Sequence, residues 1–153
     1  MNTPKSSEDP ADATFRSRRV LAYPVERVFE AFARPELLAR WWGPTGFTNT
    51  FEVFEFKPSG RWKYMMHGPD GSNYRNESVF LRLDAPSTLV IQHVSPPRYV
   101  LTLTLAAHDH GTAITWAQEF ETSKVAGLLK HIVEPANEQN LDRLEAVLSE
   151  TKS

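Results

Sequence analysis

From Ser123 to Ser149 apolar residues return at helical spacing. Val125, Leu129, Ile132, Val133 and Ala136 lead into Leu141, Leu144, Val147 and Leu148, and all fall on one arc of a helix. Asn137 and Asn140 land near the middle of that arc, while Glu134, Glu138, Asp142 and Glu145 fall on the other side. A helix this long and this apolar on one side must lie against something. Two amides inside a buried stripe need partners. Either the opposing surface supplies them, or the stripe faces a cavity that holds water or a ligand.

The upstream chain supplies that surface as strands. Thr14 to Ala22 reads as a first strand. Pro24 suits the first position of a helix, and Val25, Val28, Phe29 and Phe32 give that helix its apolar side. Pro35 ends it, because Arg34 is pushed out of helical geometry. Glu36 to Trp42 forms one or two further turns, stopped by Gly43-Pro44. Phe47 to Phe56 is the second strand, and the parity slip between Val53 and Phe54 predicts a bulge. Arg61 to His67, Glu77 to Leu83, Thr88 to Val94, Tyr99 to Leu105 and Thr112 to Phe120 follow, joined by short Pro-, Gly- and Asp-containing turns. Short strands on short turns predict an antiparallel meander. Pro135 is expected to kink the closing helix near His131 to Glu134. Strands bracketed by helices give an α+β class, with a curved sheet gripping one helix.

Composition narrows the functional classes. The 153 residues suit one domain, expected over 14–150, after a polar tail at 1–13 expected to be disordered. A net charge of −2 offers no broad basic field for nucleic acid. The absence of cysteine excludes disulfides, thiolate metal sites and a thiol nucleophile. The polar start reads as no secretory signal, and no stretch is long and apolar enough to span a bilayer, so a cytoplasmic protein is expected. The Asn76-Glu77-Ser78 glycosylation triplet is then accidental.

Several stretches together resemble a family. Arg19-Val20-Leu21-Ala22-Tyr23-Pro24 through Val28-Phe29, Trp41-Trp42-Gly43-Pro44 and Pro58-Ser59-Gly60-Arg61-Trp62 carry the likeness, with Gly68-Pro69-Asp70-Gly71 and Asn137 through Leu144. They resemble the domain homologous to the C-terminal domain of the Hsp90 ATPase activator, within the START-like superfamily. The resemblance covers about Phe15 to Leu148. It implies a helix-grip fold of the START/Bet v 1 kind: a curved antiparallel sheet around a long C-terminal helix, with two short helices after the first strand, enclosing an apolar cavity. It does not imply one activity, since members bind lipids, hormones and polyketides and some act as cyclases or hydrolases. Ser59 replaces the first of the usual glycine pair, Ser78 stands where glycine is common, and Arg82 where glutamate is common.

Candidate site residues follow from chemistry. Trp41 and Trp42 offer flat faces and indole donors; alternatively one plugs the helix end and the other lines a cavity mouth. Trp62, Tyr64 and Met66 share one strand face and are core or pocket wall, as are Phe80, Trp116 and Phe120. Asn137 and Asn140 either bond nearby backbone or water, or orient a polar group on an apolar ligand. His67, His93, His108, His110 and His131 lack the convergence a metal needs, so neither metal nor cofactor is expected. Glu52, Glu55, Glu77, Glu119 and Glu121 are strand carboxylates, any of which would act as acid or base if it faced the cavity. Arg16, Arg18 and Arg19 read as a solvated edge.

Three readings follow. The first is a module holding a small apolar or amphipathic molecule between helix and sheet. The second is an acid–base enzyme in the same cavity, of cyclase, dehydratase or hydrolase type. The third is an interaction protein, docking on a chaperone or on a second copy of itself through exposed aromatics around Trp41 to Phe47.

Overall fold

The computed structural model describes residues 13–150. The tail expected to be disordered lies outside the described residues, save Ala13. That residue is buried, and its carbonyl accepts the Phe120 N–H.

Among the described residues the order is β1 (Thr14–Leu21), α1 (Val25–Ala33), α2 (Pro35–Trp41), β2 (Thr48–Phe54), β3 (Arg61–His67), β4 (Asn73–Asp84), β5 (Thr88–His93), β6 (Tyr99–His108), β7 (Gly111–Phe120) and α3 (Ser123–Glu150). The seven strands form one antiparallel sheet in the order β1-β7-β6-β5-β4-β3-β2. This is the expected α+β helix-grip: sheet, two short helices after the first strand, and one long helix at the end.

Local chemistry sets the boundaries. Pro24 precedes α1 as its cap in extended geometry, one position before the expected one, and its carbonyl takes the N–H groups of Arg27 and Val28. Arg34 is extended, and Pro35 opens α2. The β2 bulge falls between Phe51 and Val53, earlier than the parity slip suggested. A second bulge, between Phe80 and Arg82, had no counterpart in the sequence reading. Pro135 does not break α3, which runs unbroken with the proline exposed.

Cross-strand register carries one face inward across the whole sheet. Trp62 sits opposite Ser78, Ser78 opposite His93, His93 opposite Tyr99, and Tyr99 opposite Phe120. With a side-chain period of two, Tyr64, Phe80, Ile91, Leu101, Leu103 and Trp116 share that buried face.

The two halves of α3 pack on different clusters. Leu141, Leu144, Val147 and Leu148 join the main core under α1 and α2. Ala126, with Val125, Leu129 and Val133, packs on Ala13, Phe15 and Phe120. Between the two clusters lie Asn137 and Asn140. Ile132, expected inside the apolar arc, is instead 56% exposed, and Leu128 is 67% exposed, because the neighbouring positions already fill the contact with β7.

Two arginines fix how α3 sits. Arg19 on β1, read from sequence as part of a solvated edge, reaches Asp142 at 2.7 Å, Glu138 at 3.0 Å and Glu145 at 3.5 Å. These carboxylates are one and two turns apart, so one half-buried guanidinium meets all three. On the other side, Arg143 donates to the carbonyls of Gly43, Pro44, Arg40 and Phe47 at 2.8–2.9 Å, and to that of Trp42 at 3.3 Å.

Candidate functional site

Where the two clusters on α3 part, a cavity of about 190 Å³ lies between the helix and the concave sheet face. The sheet contributes Tyr64 and Met66 from β3, His93 from β5, and Leu101, Trp116 and Gln118 from β6 and β7. The helix contributes Val133, Ala136, Asn137 and Asn140, with Ile132 at the exposed rim. Trp42, Gly43 and Pro44 from the turn after α2, with Pro97 and Tyr99, complete the lining.

The residues singled out in the sequence divide accordingly. Trp42, Tyr64, Met66, Trp116, Asn137 and Asn140 border the cavity. Trp41, Trp62 and Phe80 do not. Trp41 turns into the core, donates its indole N–H to Ala31 O at 3.0 Å and meets Phe32 edge-on. Trp62 stacks between Tyr64 and Phe80, with ring centroids at 4.3 Å and 5.8 Å, behind the cavity wall. Trp41 and Trp42 are both buried, so the aromatic docking surface expected around Trp41 to Phe47 is not there; Phe47 itself is half-buried against Tyr74.

Each polar group has a definite place. Trp42 donates its indole N–H to Tyr64 Oη at 3.3 Å. Asn140 turns its carbonyl to the Gly43 N–H at 2.8 Å, and its amide NH₂ reaches back to Ala136 O at 3.3 Å. Asn137 donates to Gln118 Oε1 at 3.0 Å. Asn140 thus answers the first of the two options raised by the sequence, a backbone partner, whereas Asn137 meets another amide on the sheet. Gly43 has φ of +100°, and a Cβ there would lie 2.7 Å from Met66 Cε, so glycine is what lets the loop approach the sheet so closely.

Sequence reasoning missed His93, Tyr99, Gln118 and Asn76 as wall residues. His93 stacks on Tyr99 with centroids 4.6 Å apart, its Nδ1 lies 2.8 Å from Pro97 O, and its Nε2 lies 2.7 Å from Asn76 Oδ1. Two acceptors around the ring favour the imidazolium. Burial opposes it and is the larger effect, so the His93 pKa lies below the ordinary value. Burial likewise pushes Tyr64 up to about 12 against the hydrogen bonds from Trp42 and Ser78, and pushes Tyr99 upward. Among the described residues no Asp, Glu, Lys or Arg borders the cavity. The strand carboxylates are elsewhere: Glu52 and Glu77 line an outer groove with Lys63 and Arg75, Glu119 and Glu121 lie beside Arg98, and Glu55 accepts the Arg61 N–H. Arg82 is exposed beside Asp84, away from the cavity. Among the described residues no three His, Asp or Glu side chains converge as metal ligands, and no helix is long and apolar enough to cross a membrane.

Two buried indole nitrogens, of Trp62 and Trp116, have no hydrogen-bond partner among the described residues. Only the ring of Trp116 borders the cavity.

Solved structures share this architecture. A protein from Arthrobacter aurescens aligns with TM-score 0.86 at 27% identity, over 95% of this chain and 91% of its own. One from Nitrosomonas europaea aligns with TM-score 0.85 at 23% identity, over 98% of this chain and 100% of its own. The AHSA1-like protein from Aeromonas hydrophila has TM-score 0.73 at 20% identity, over 92% and 97%. At such identities the likeness of the last two is one of fold alone. None of the curated proteins compared matches the sequence. Residues 22–149, from the end of β1 almost to the end of α3, match the family model described as activator of Hsp90 ATPase homolog 1-like protein, and the chain belongs to that family.

Proposed function

We propose that the protein binds a small, mainly apolar molecule between α3 and the concave face of the sheet. The observation that carries this reading is the cavity itself: about 190 Å³ walled by aromatic and aliphatic side chains, with a few uncharged polar groups among them. A site of that kind takes up apolar surface for affinity and uses its few polar groups for orientation. Arg19 on one side and Arg143 on the other brace the helix, so the cavity belongs to a held geometry rather than to loose packing. The test is to incubate purified protein with lipid and aromatic-metabolite libraries and to read adducts by native mass spectrometry and by thermal shift. Retained small-molecule mass together with a raised Tm is expected; no adduct and no shift across both libraries would sink the reading.

A second reading, acid–base chemistry in the same cavity, draws on one observation: the neutral imidazole of His93 on the wall. A general base must reach the proton it takes, and both ring nitrogens of His93 already have protein partners. Turnover of bound library members, lost in His93→Asn with binding retained, would favour the enzyme over the binding module.

A further inference from the structure

Building on that binding reading, we infer that the molecule held is a small neutral amide, a lactam or a primary amide, whose C=O and N–H meet Gln118 and Asn137 together. These two residues face each other in the gap between the hydrophobic clusters. Gln118 comes from β7 and Asn137 from the middle of α3, and both border the cavity. They are 8% and 5% exposed, so each is more than nine-tenths buried.

One hydrogen bond joins them, from Asn137 Nδ2 to Gln118 Oε1 at 3.0 Å. It uses one end of each amide. Gln118 Nε2 and Asn137 Oδ1 have no partner among the described residues. Neither is sealed off from a water-sized neighbour, whereas the indole nitrogen of Trp116 is. The wall therefore offers one open donor and one open acceptor on two touching side chains. Exchanging oxygen and nitrogen in both amides would still leave one of each. A buried amide used at one end only is costly unless something completes it.

Geometry selects the complement. Standard bond lengths put the two open atoms within ~8 Å of each other across the 3.0 Å bond. An amide with C=O and N–H on one edge spans that gap with two hydrogen bonds of ~2.9 Å. A lactam is held in that form by its ring, and a primary amide always carries it. A trans amide turns its N–H away from its C=O and meets only one of the two atoms. A ketone meets the donor and leaves the acceptor unanswered, and a site built on hydrogen bonds rejects such an analogue.

Size and charge set the rest. The cavity of about 190 Å³ slightly exceeds the ~150 Å³ that admits benzene in an engineered apolar site and falls below the ~300 Å³ where drug-sized pockets begin. One six-membered ring with a short substituent suits it. Among the described residues the wall holds no carboxylate, ammonium or guanidinium. A charged ligand would give up its hydration with no counter-charge to meet it.

Benzamide and acetophenone share an outline and differ by NH₂ against CH₃. Each is titrated by calorimetry into the wild type and into the double variant Gln118→Leu/Asn137→Leu, with benzoate as the charged control. The double variant removes both amides, so neither is left without its partner. It is expected to weaken benzamide ~tenfold more than acetophenone, a comparison in which the different hydration of the two probes cancels. Benzoate is expected to bind the wild type at least ~tenfold less tightly than benzamide. Equal weakening of the two neutral probes, or benzoate binding tightest, overturns this inference and leaves the binding module standing. Failure of every probe while the libraries give an adduct also overturns it; failure of probes and libraries alike removes both. Circular dichroism checks that the double variant folds. Where it does not, the side-chain carbonyl ¹³C signals of Asn137 and Gln118 in the wild type decide: one of them moved downfield by benzamide and unmoved by acetophenone supports the inference, and both unmoved, or moved alike by the two probes, overturns it.

Discussion

Asn140 Oδ1 accepts the main-chain N–H of Gly43 at 2.8 Å, joining the middle of α3 to the turn that follows the tryptophan pair. Gly43 is buried. Among the described residues no other hydrogen bond satisfies its N–H, so the amide on the helix is what makes burial of this turn tolerable. The same turn seats Trp42 against Tyr64. A single side chain therefore couples helix position to the cavity wall.

Asn140→Ala is expected to destabilise the protein by ~1–3 kcal/mol, the cost of leaving a buried donor unmet. Urea denaturation reads this as a lower midpoint with unchanged slope. Asn140→Asp keeps an acceptor on the same stem and is expected to lose less than the alanine variant. Equal losses would detach the effect from the Gly43 bond.

Arg143 extends the same joint. Its two terminal nitrogens spread over five carbonyls of residues 40–47, a pattern that needs a planar fork. Arg143→Lys keeps the charge but can satisfy only part of that set. The expected loss is ~2 kcal/mol by urea denaturation, with the near-ultraviolet tryptophan signal altered because Trp42 follows the loop. A variant as stable as the wild type would show that the carbonyls find water just as readily.

The sequence carried the fold because strands and helices write themselves in side-chain periods, and the tryptophan and asparagine pairs stand out within those periods. It carried less of the site. His93, Tyr99, Gln118 and Asn76 sit on four different strands or strand ends, and nothing but register brings them to one face. Two bulges shift that register, and only one of them left a trace in the alternation. Arg143 stood in view within the family motif, but its partners are backbone carbonyls, which have no residue signature. Ile132 shows the opposite failure: helical spacing marks a residue as apolar-faced, and only tertiary packing decides that the face ends before it.

Ser59 tests a departure from the family pattern. It occupies the left-handed region with φ of 66°, where a side chain crowds the backbone. Its N–H is bonded to Phe80 O at 2.7 Å, so the turn cannot relax without losing that bond. Ser59→Gly removes the crowding and adds freedom to the unfolded chain. The net gain is expected to be ~0.5–1 kcal/mol, seen as a raised Tm. A loss of stability would mean that the serine side chain contributes more than the strain it brings.

His93 and Tyr64 bound the pH range of the fold from opposite ends. Burial holds His93 below its ordinary value, so the unfolded chain takes up that proton first as pH falls. The unfolded state then binds more protons than the folded one, and stability declines as pH drops from about 7 through the ordinary histidine range. Tyr64 works the other way. Its hydroxyl, pushed up to about 12 in the fold, stays protonated after the unfolded phenol has ionised near ~10. Stability is thus held below about pH 10 and lost as pH rises toward the folded value. Urea midpoints measured across both ranges should fall at each end. His93→Asn should flatten the acid limb alone, and Tyr64→Phe should shrink the alkaline limb alone, the remainder belonging to Tyr99, which burial also pushes upward. An acid limb unchanged in His93→Asn would place the sensitive proton on another group and remove the neutral imidazole from the cavity wall.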